Sequence, residues 1–126
     1  MKLLLDTHIL LWCAGDMLSA KIAPYILNPA NILCFSPASI WEVVIKRDLK
    51  RDDFNVDPYR LYTGLLENGY EEIPITTHHA LSVSSLPPIH ADPFDRILLA
   101  QVISERISLL THDEQLLKYP APVIYV

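Results

Sequence analysis

Short apolar runs that alternate with helical segments bearing clear start signals limit this chain more than any other feature of its sequence. At Ser36-Pro37, Asp57-Pro58 and Asp92-Pro93 a capping residue stands directly before a proline at the head of an apolar-periodic segment. The first side chain can accept from an unpaired helix N–H, and proline at the first helical position gives up a donor the helix does not use. Helices are predicted from these points. The first carries Ile40, Trp41, Val44 and Ile45 and ends near Asp48, the second covers residues 59–68 and is closed by Gly69, and the third covers residues 94–106. Residues 9–13, residues 18–27 with Ser19 as cap, and residues 79–83 read as further helices. Residues 2–5, 32–35, 107–110 and 123–126 are short apolar runs of buried-strand character, with residues 70–75 a weaker candidate. The two prolines of residues 86–92 mark a loop, and residues 113–117 form a helical turn. Strands alternating with helices require right-handed crossovers, hence a mostly parallel sheet covered on both faces. The class is α/β.

With 126 residues, 51% of them apolar, the chain suits one compact domain over residues 1–126. Cys13 and Cys34 stand alone, outside any short-spaced metal pattern, so a reducing cytoplasm is the expected compartment. Asp6 interrupts the apolar start too early for a signal peptide, and no run reaches the ~20 residues of a membrane span. Ten basic against fifteen acidic residues give a formal charge of −5, which argues against coating nucleic acid by bulk attraction. Charge is local, however, since Lys46, Arg47, Lys50 and Arg51 fall in one six-residue stretch.

Three acids occupy related places. Asp6 ends the first strand, Asp113 follows Leu110 closely, and Glu42 lies early in the helix that leaves residues 32–35. Ligands of open parallel sheets bind outside the carboxyl ends of the strands, so these acids converge on one rim. Asp95, in the first turn of the Asp92-Pro93 helix, reaches the same rim if the strand that follows runs parallel to the others. Each acid also has a plain structural reading. Asp6 and Asp113 resemble helix caps, and Glu42 can pair with Lys46 four residues on. Of Asp92 and Asp95, Asp92 takes the cap and Asp95 the ligand role, with Asp92 a further possible ligand. Together, four carboxylates repel one another unless a cation sits among them, and hard oxygen donors favour Mg²⁺ or Mn²⁺.

Four blocks carry a resemblance. Leu3-Leu4-Leu5-Asp6-Thr7-His8-Ile9-Leu10-Leu11-Trp12, Ser39-Ile40-Trp41-Glu42-Val43-Val44-Ile45-Lys46, His90-Ala91-Asp92-Pro93-Phe94-Asp95-Arg96-Ile97-Leu98-Leu99-Ala100-Gln101 and Leu110-Thr111-His112-Asp113 appear in this order. In these the chain resembles the PIN-domain nucleases, and most closely the VapC-type toxins of bacterial toxin–antitoxin pairs. The resemblance implies a three-layer α/β/α sandwich, Mg²⁺- or Mn²⁺-dependent endoribonuclease activity, a homodimer, and inhibition by a cognate antitoxin. It places the family's acidic ligands on Asp6, Glu42, Asp95 and Asp113, and hydroxyls near the metal or its waters on Thr7 and Thr111.

The expected chemistry is hydrolysis of an RNA phosphodiester by water that the metal activates. Lys46, Arg47, Lys50, Arg51 and Arg96 are candidate phosphate contacts, although the 46–51 cluster also reads as a solvated helix end. His8, His78, His79, His90 and His112 read as structural or solvent-exposed, because metal-activated water needs no histidine base. The alternative is a PIN fold that binds RNA or protein without cutting. A signalling receiver domain lacks its acidic pair here, and a dehalogenase-like phosphatase lacks its second Asp, since His8 stands at that position.

Overall fold

A computed structural model describes residues 1–15, 17–49 and 55–126. Five strands, β1 (Lys2–Leu5), β2 (Ile32–Phe35), β3 (Glu71–Glu72), β4 (Ser108–Thr111) and β5 (Val123–Tyr125), form one sheet in the order β3-β2-β1-β4-β5. Every pairing is parallel, with Leu4 opposite Cys34 on one side and Leu109 on the other. Helices α1 (Thr7–Ala14), α2 (Ala23–Ile26), α3 (Pro37–Asp48), α4 (Pro58–Glu67), α5 (Thr77–Ser82) and α6 (Pro93–Glu105) connect them.

Alternation along the strands divides the core in two. Leu4, Cys34 and Leu109 pack with Leu98, Leu99 and Val102 of α6, while Leu3, Leu5, Phe35 and Leu110 pack with Ile9, Val43, Leu61 and Leu65 of α1, α3 and α4. Both sheet faces are therefore covered, and the architecture is the three-layer α/β/α sandwich.

The capped proline signals work as read. Ser36, Asp57 and Asp92 accept from the N–H groups of Ala38, Tyr59 and Phe94, and Gly69 closes α4 in the left-handed region at φ 80°. Two expectations fall short. In residues 18–27 only Ala23–Ile26 is helical, because Pro24 fits only in a first helical turn, and the Ser19 carbonyl rather than its hydroxyl meets Ile22 and Ala23. In residues 70–75 the ladder stops at Glu72, one hydrogen bond continues from Ile73 N–H to Phe35, and Pro74 offers no donor. The buried amide of Gln101 then takes the Ile73 carbonyl at 2.9 Å in place of a neighbouring strand.

From β1 the chain first builds β2 and β3 on one side, then crosses to β4 and β5 on the other. The loops after β1 and β4 thus part at the carboxyl edge, and the crevice between them is where an open parallel sheet takes a ligand.

Candidate metal centre

Asp6 stands at that parting. Its Oδ1 accepts from Ile9 N–H at 2.9 Å and caps α1, while Oδ2 accepts from the Thr111 hydroxyl at the end of β4 and from His112 N–H at 3.3 Å. The Thr111 oxygen in turn accepts from Asp113 N–H at 3.0 Å, and Asp113 caps the next turn through Gln115 N–H. One hydroxyl thereby links the ends of β1 and β4 and orients two acids.

Glu42 is buried on α3, with Oε1 accepting from Thr7 at 2.6 Å and Oε2 paired with Lys46 at 2.9 Å. The Lys46 ion pair follows the helical spacing of four. Asp92 caps α6 through Phe94 and Asp95 N–H, and Asp95 lies one turn on with its carboxylate in the crevice. The crevice measures about 500 Å³ and is lined by Asp6, Glu42, Asp92, Asp95 and Asp113 together with Thr7, Trp12 and three histidines, His8, His90 and His112.

The structure thus brings Asp6, Glu42, Asp95 and Asp113 into one space, with Thr7 and Thr111 bonded to two of them. It does not bring in every cation expected there. Arg96 turns away, donating to the carbonyls of Pro87 (2.9 Å), Val83 (3.2 Å) and Leu86 (3.4 Å) and to the Tyr119 hydroxyl (3.2 Å). A guanidinium so engaged holds a loop and is no phosphate contact. Arg47 pairs with Asp57 across the α3/α4 groove, and Lys46 rests on Glu42. Lys50 and Arg51 lie outside the described residues.

The histidines divide in a way the sequence does not announce. His79 is structural, as read: it is 1% exposed and bonded to Thr76 and Glu105. His90 departs from that reading, since its Nε2 lies 3.0 Å from Asp95 Oδ2 and 3.4 Å from Asp113 Oδ2. Nothing in the run around His90 signals this, because Asp113 reaches it only through β4.

Electrostatics mark the crevice as short of positive charge. Burial pushes the Asp95 carboxyl up to about 7, reinforced by the charges of Asp92 and Asp6 against the opposing hydrogen bond from His90. Burial also raises Asp6, in spite of the donors from Thr111, Ile9 and His112. His90, Asp95 and Asp113 each offer a donor atom within 4.8 Å of the others. Crowded carboxylates whose pKa values are raised by burial and by one another's charge are the condition a divalent ion relieves, and their hard oxygen donors suit Mg²⁺ or Mn²⁺.

The family model for the PIN domain matches residues 3–122. In fold the chain is similar to VapBC2 from Rickettsia felis bound to a DNA fragment from their promoter, with a TM-score of 0.73 at 11% identity, covering 100% of this chain and 99% of that one. It is similar also to DNA-bound VapBC from Salmonella typhimurium (TM-score 0.69, 14% identity, 99% and 98% covered) and to the PIN domain endonuclease Utp24 (0.56, 16%, 99% and 84%). By sequence, no curated protein matches it.

Proposed function

Because the chain belongs to the PIN-domain family, we propose that it is a metal-dependent endoribonuclease, one nuclease domain over residues 1–126, acting as the toxin of a toxin–antitoxin pair. The observation that supports this most is the crevice at the parting of β1 and β4, where four carboxylates meet and burial, with the charges of Asp92 and Asp6, pushes Asp95 up to about 7.

Asp6, Glu42, Asp95 and Asp113 would hold Mg²⁺ or Mn²⁺. When bound, such an ion lowers the pKa of water and offsets negative charge that develops on a phosphate under attack. The protein supplies orientation. Thr7 and Lys46 fix the two oxygens of Glu42, Thr111 and two backbone N–H groups fix Asp6, and Asp92 holds the start of α6 so that Asp95 faces the crevice. Pre-set ligands lose little conformational freedom on taking the ion, and their alignment persists as a phosphodiester is drawn in.

The substrate is RNA, and the partners are a cognate antitoxin and a second copy of the chain. An exposed apolar strip supports a protein partner: Ile40, Val44, Tyr59 and Tyr62 line a groove of about 420 Å³ between α3 and α4, with both tyrosines exposed. The compartment is the cytoplasm, and among the described residues no helix is long and apolar enough to cross a membrane.

The test is incubation of metal-depleted protein with a mixed RNA, with and without Mg²⁺ or Mn²⁺, beside Asp6→Ala and Asp95→Ala. The proposal expects cutting only with metal and only by the unaltered protein. Cutting that survives chelation or either substitution overturns it, and a folded protein that binds RNA without cutting is the binding module instead.

A further inference from the structure

The loop that carries His90 into the crevice is held at several points. The Arg96 guanidinium donates to three of its carbonyls, at Val83, Leu86 and Pro87, and to the hydroxyl of the buried Tyr119. That hydroxyl accepts from His90 N–H at 2.8 Å and donates to the His90 carbonyl at 3.3 Å. A phenol has one proton and two lone pairs, so Tyr119 is fully used, and two of its three bonds go to the main chain of one residue. The segment is thereby fixed on both sides of the imidazole, although loops of this kind are commonly the loosest parts of a fold.

What the clamp presents is Nε2, 3.0 Å from Asp95 Oδ2 and 3.4 Å from Asp113 Oδ2. An octahedral ion with bonds of about 2.1 Å needs adjacent donors about 3 Å apart, close to the 3.0 and 3.4 Å that separate Nε2 from the two carboxylate oxygens. Imidazole suits transition ions, whereas Mg²⁺ keeps to oxygen. We infer that His90 is a nitrogen ligand of the metal centre, held in place by Arg96 and Tyr119 as positioning residues, and that it makes the site select Mn²⁺ over Mg²⁺. The inference rests on the proposed metal site and adds to it a ligand and a selectivity.

A contrary role for the same ring is a resident cation, occupying the space between two carboxylates until a metal displaces it. The two roles predict opposite signs. Removing a ligand weakens Mn²⁺ binding, whereas removing a competitor strengthens it.

The experiment titrates metal-depleted full-length protein with Mn²⁺ alone and with Mg²⁺ alone by calorimetry, and records pulsed electron paramagnetic resonance of the Mn²⁺ form for nitrogen coupling. The unaltered protein is expected to bind Mn²⁺ at least tenfold more tightly than Mg²⁺ and to show imidazole nitrogen on the ion. His90→Ala is expected to lose about tenfold or more toward Mn²⁺, little toward Mg²⁺, and the nitrogen signal with it. Tyr119→Phe keeps the ring in the core and removes only the hydroxyl. It is expected to weaken Mn²⁺ binding severalfold and diminish the coupling with Mg²⁺ affinity held. Mn²⁺ bound without nitrogen that His90→Ala removes, or bound more tightly by His90→Ala, overturns the histidine assignment and leaves the nuclease reading standing. Uptake of neither ion by the unaltered protein overturns both.

Discussion

Among the described residues two histidines meet carboxylates, and their surroundings differ in one respect that separates architecture from chemistry. At His79 the accounts close: Nδ1 accepts from Thr76 N–H at 3.0 Å, which leaves the proton on Nε2 to face the single carboxylate of Glu105 at 3.0 Å. Thr76 and His79 complete a reciprocal capping box, so the same ring starts α5 and ties it to the end of α6. At His90 one imidazole faces two carboxylates, with Asp6 and Asp92 adding further negative charge around Asp95. A satisfied pair stabilises a fold, while surplus charge of one sign implies something still to be bound.

The sharpest way to break this contrast is to remove charge from the crowded side. Asp95→Asn is expected to lower metal-dependent RNA cleavage by about a thousandfold or more, ~4 kcal/mol in the barrier, and to raise the melting temperature of the metal-free protein. Single-turnover assays and thermal melts in chelator check the two halves, and a variant that is both active and less stable breaks the comparison.

On the satisfied side the effect is smaller and of another kind. His79→Ala strips a buried capping box and its link to Glu105, at a cost of about 2–3 kcal/mol in urea denaturation, while cleavage per folded molecule stays unchanged. A loss of cleavage beyond the unfolded fraction would place His79 in the working site after all.

A third measurement follows stability against pH. Asp95 and Asp6 have folded-state values raised from 3.8, Asp95 to about 7, so the folded chain holds more protons than the unfolded one across that interval. Stability from these groups is complete at low pH and is lost as pH rises through about 7. Metal-free protein is expected to melt about 5 °C lower at pH 8 than at pH 5, with Mn²⁺ restoring the difference and Asp95→Asn flattening it. A melting temperature that rises over this range in the metal-free protein, equally in Asp95→Asn, contradicts the crowding argument. The smallest effect belongs to Glu105→Gln, which keeps an acceptor for His79 and is expected to cost at most about 1 kcal/mol by chemical denaturation.

What could be read from the residues alone follows the reach of each interaction. The capped prolines, the closing Gly69 and the Glu42–Lys46 pair are local, acting over two to four positions, and the structure agrees with them. The convergence of Asp6 with Asp113 followed from strand ends once a parallel sheet was inferred, because the topology, not the spacing, brings them together. Arg96 was beyond this reasoning. Its acceptors lie on the 83–87 segment and at Tyr119, and nothing in the run Phe94-Asp95-Arg96 distinguishes a guanidinium that grips carbonyls from one offered to phosphate. His90 stayed hidden for the same reason, since its importance comes from Asp113, which approaches only through β4. Pro24 and Pro74 were visible, yet each shortened an element more than the apolar pattern around it suggested.

The Thr111 hydroxyl that meets Asp6 bridges a separation of 105 residues, so β1 is made long before its neighbour β4. A polypeptide still emerging from the ribosome therefore owns Asp6 and Glu42 without the acids that complete the set. With the proposed activity, such a chain is harmless to the very message it is being translated from until the segment carrying Asp95 and Asp113 has been made and folded against β1.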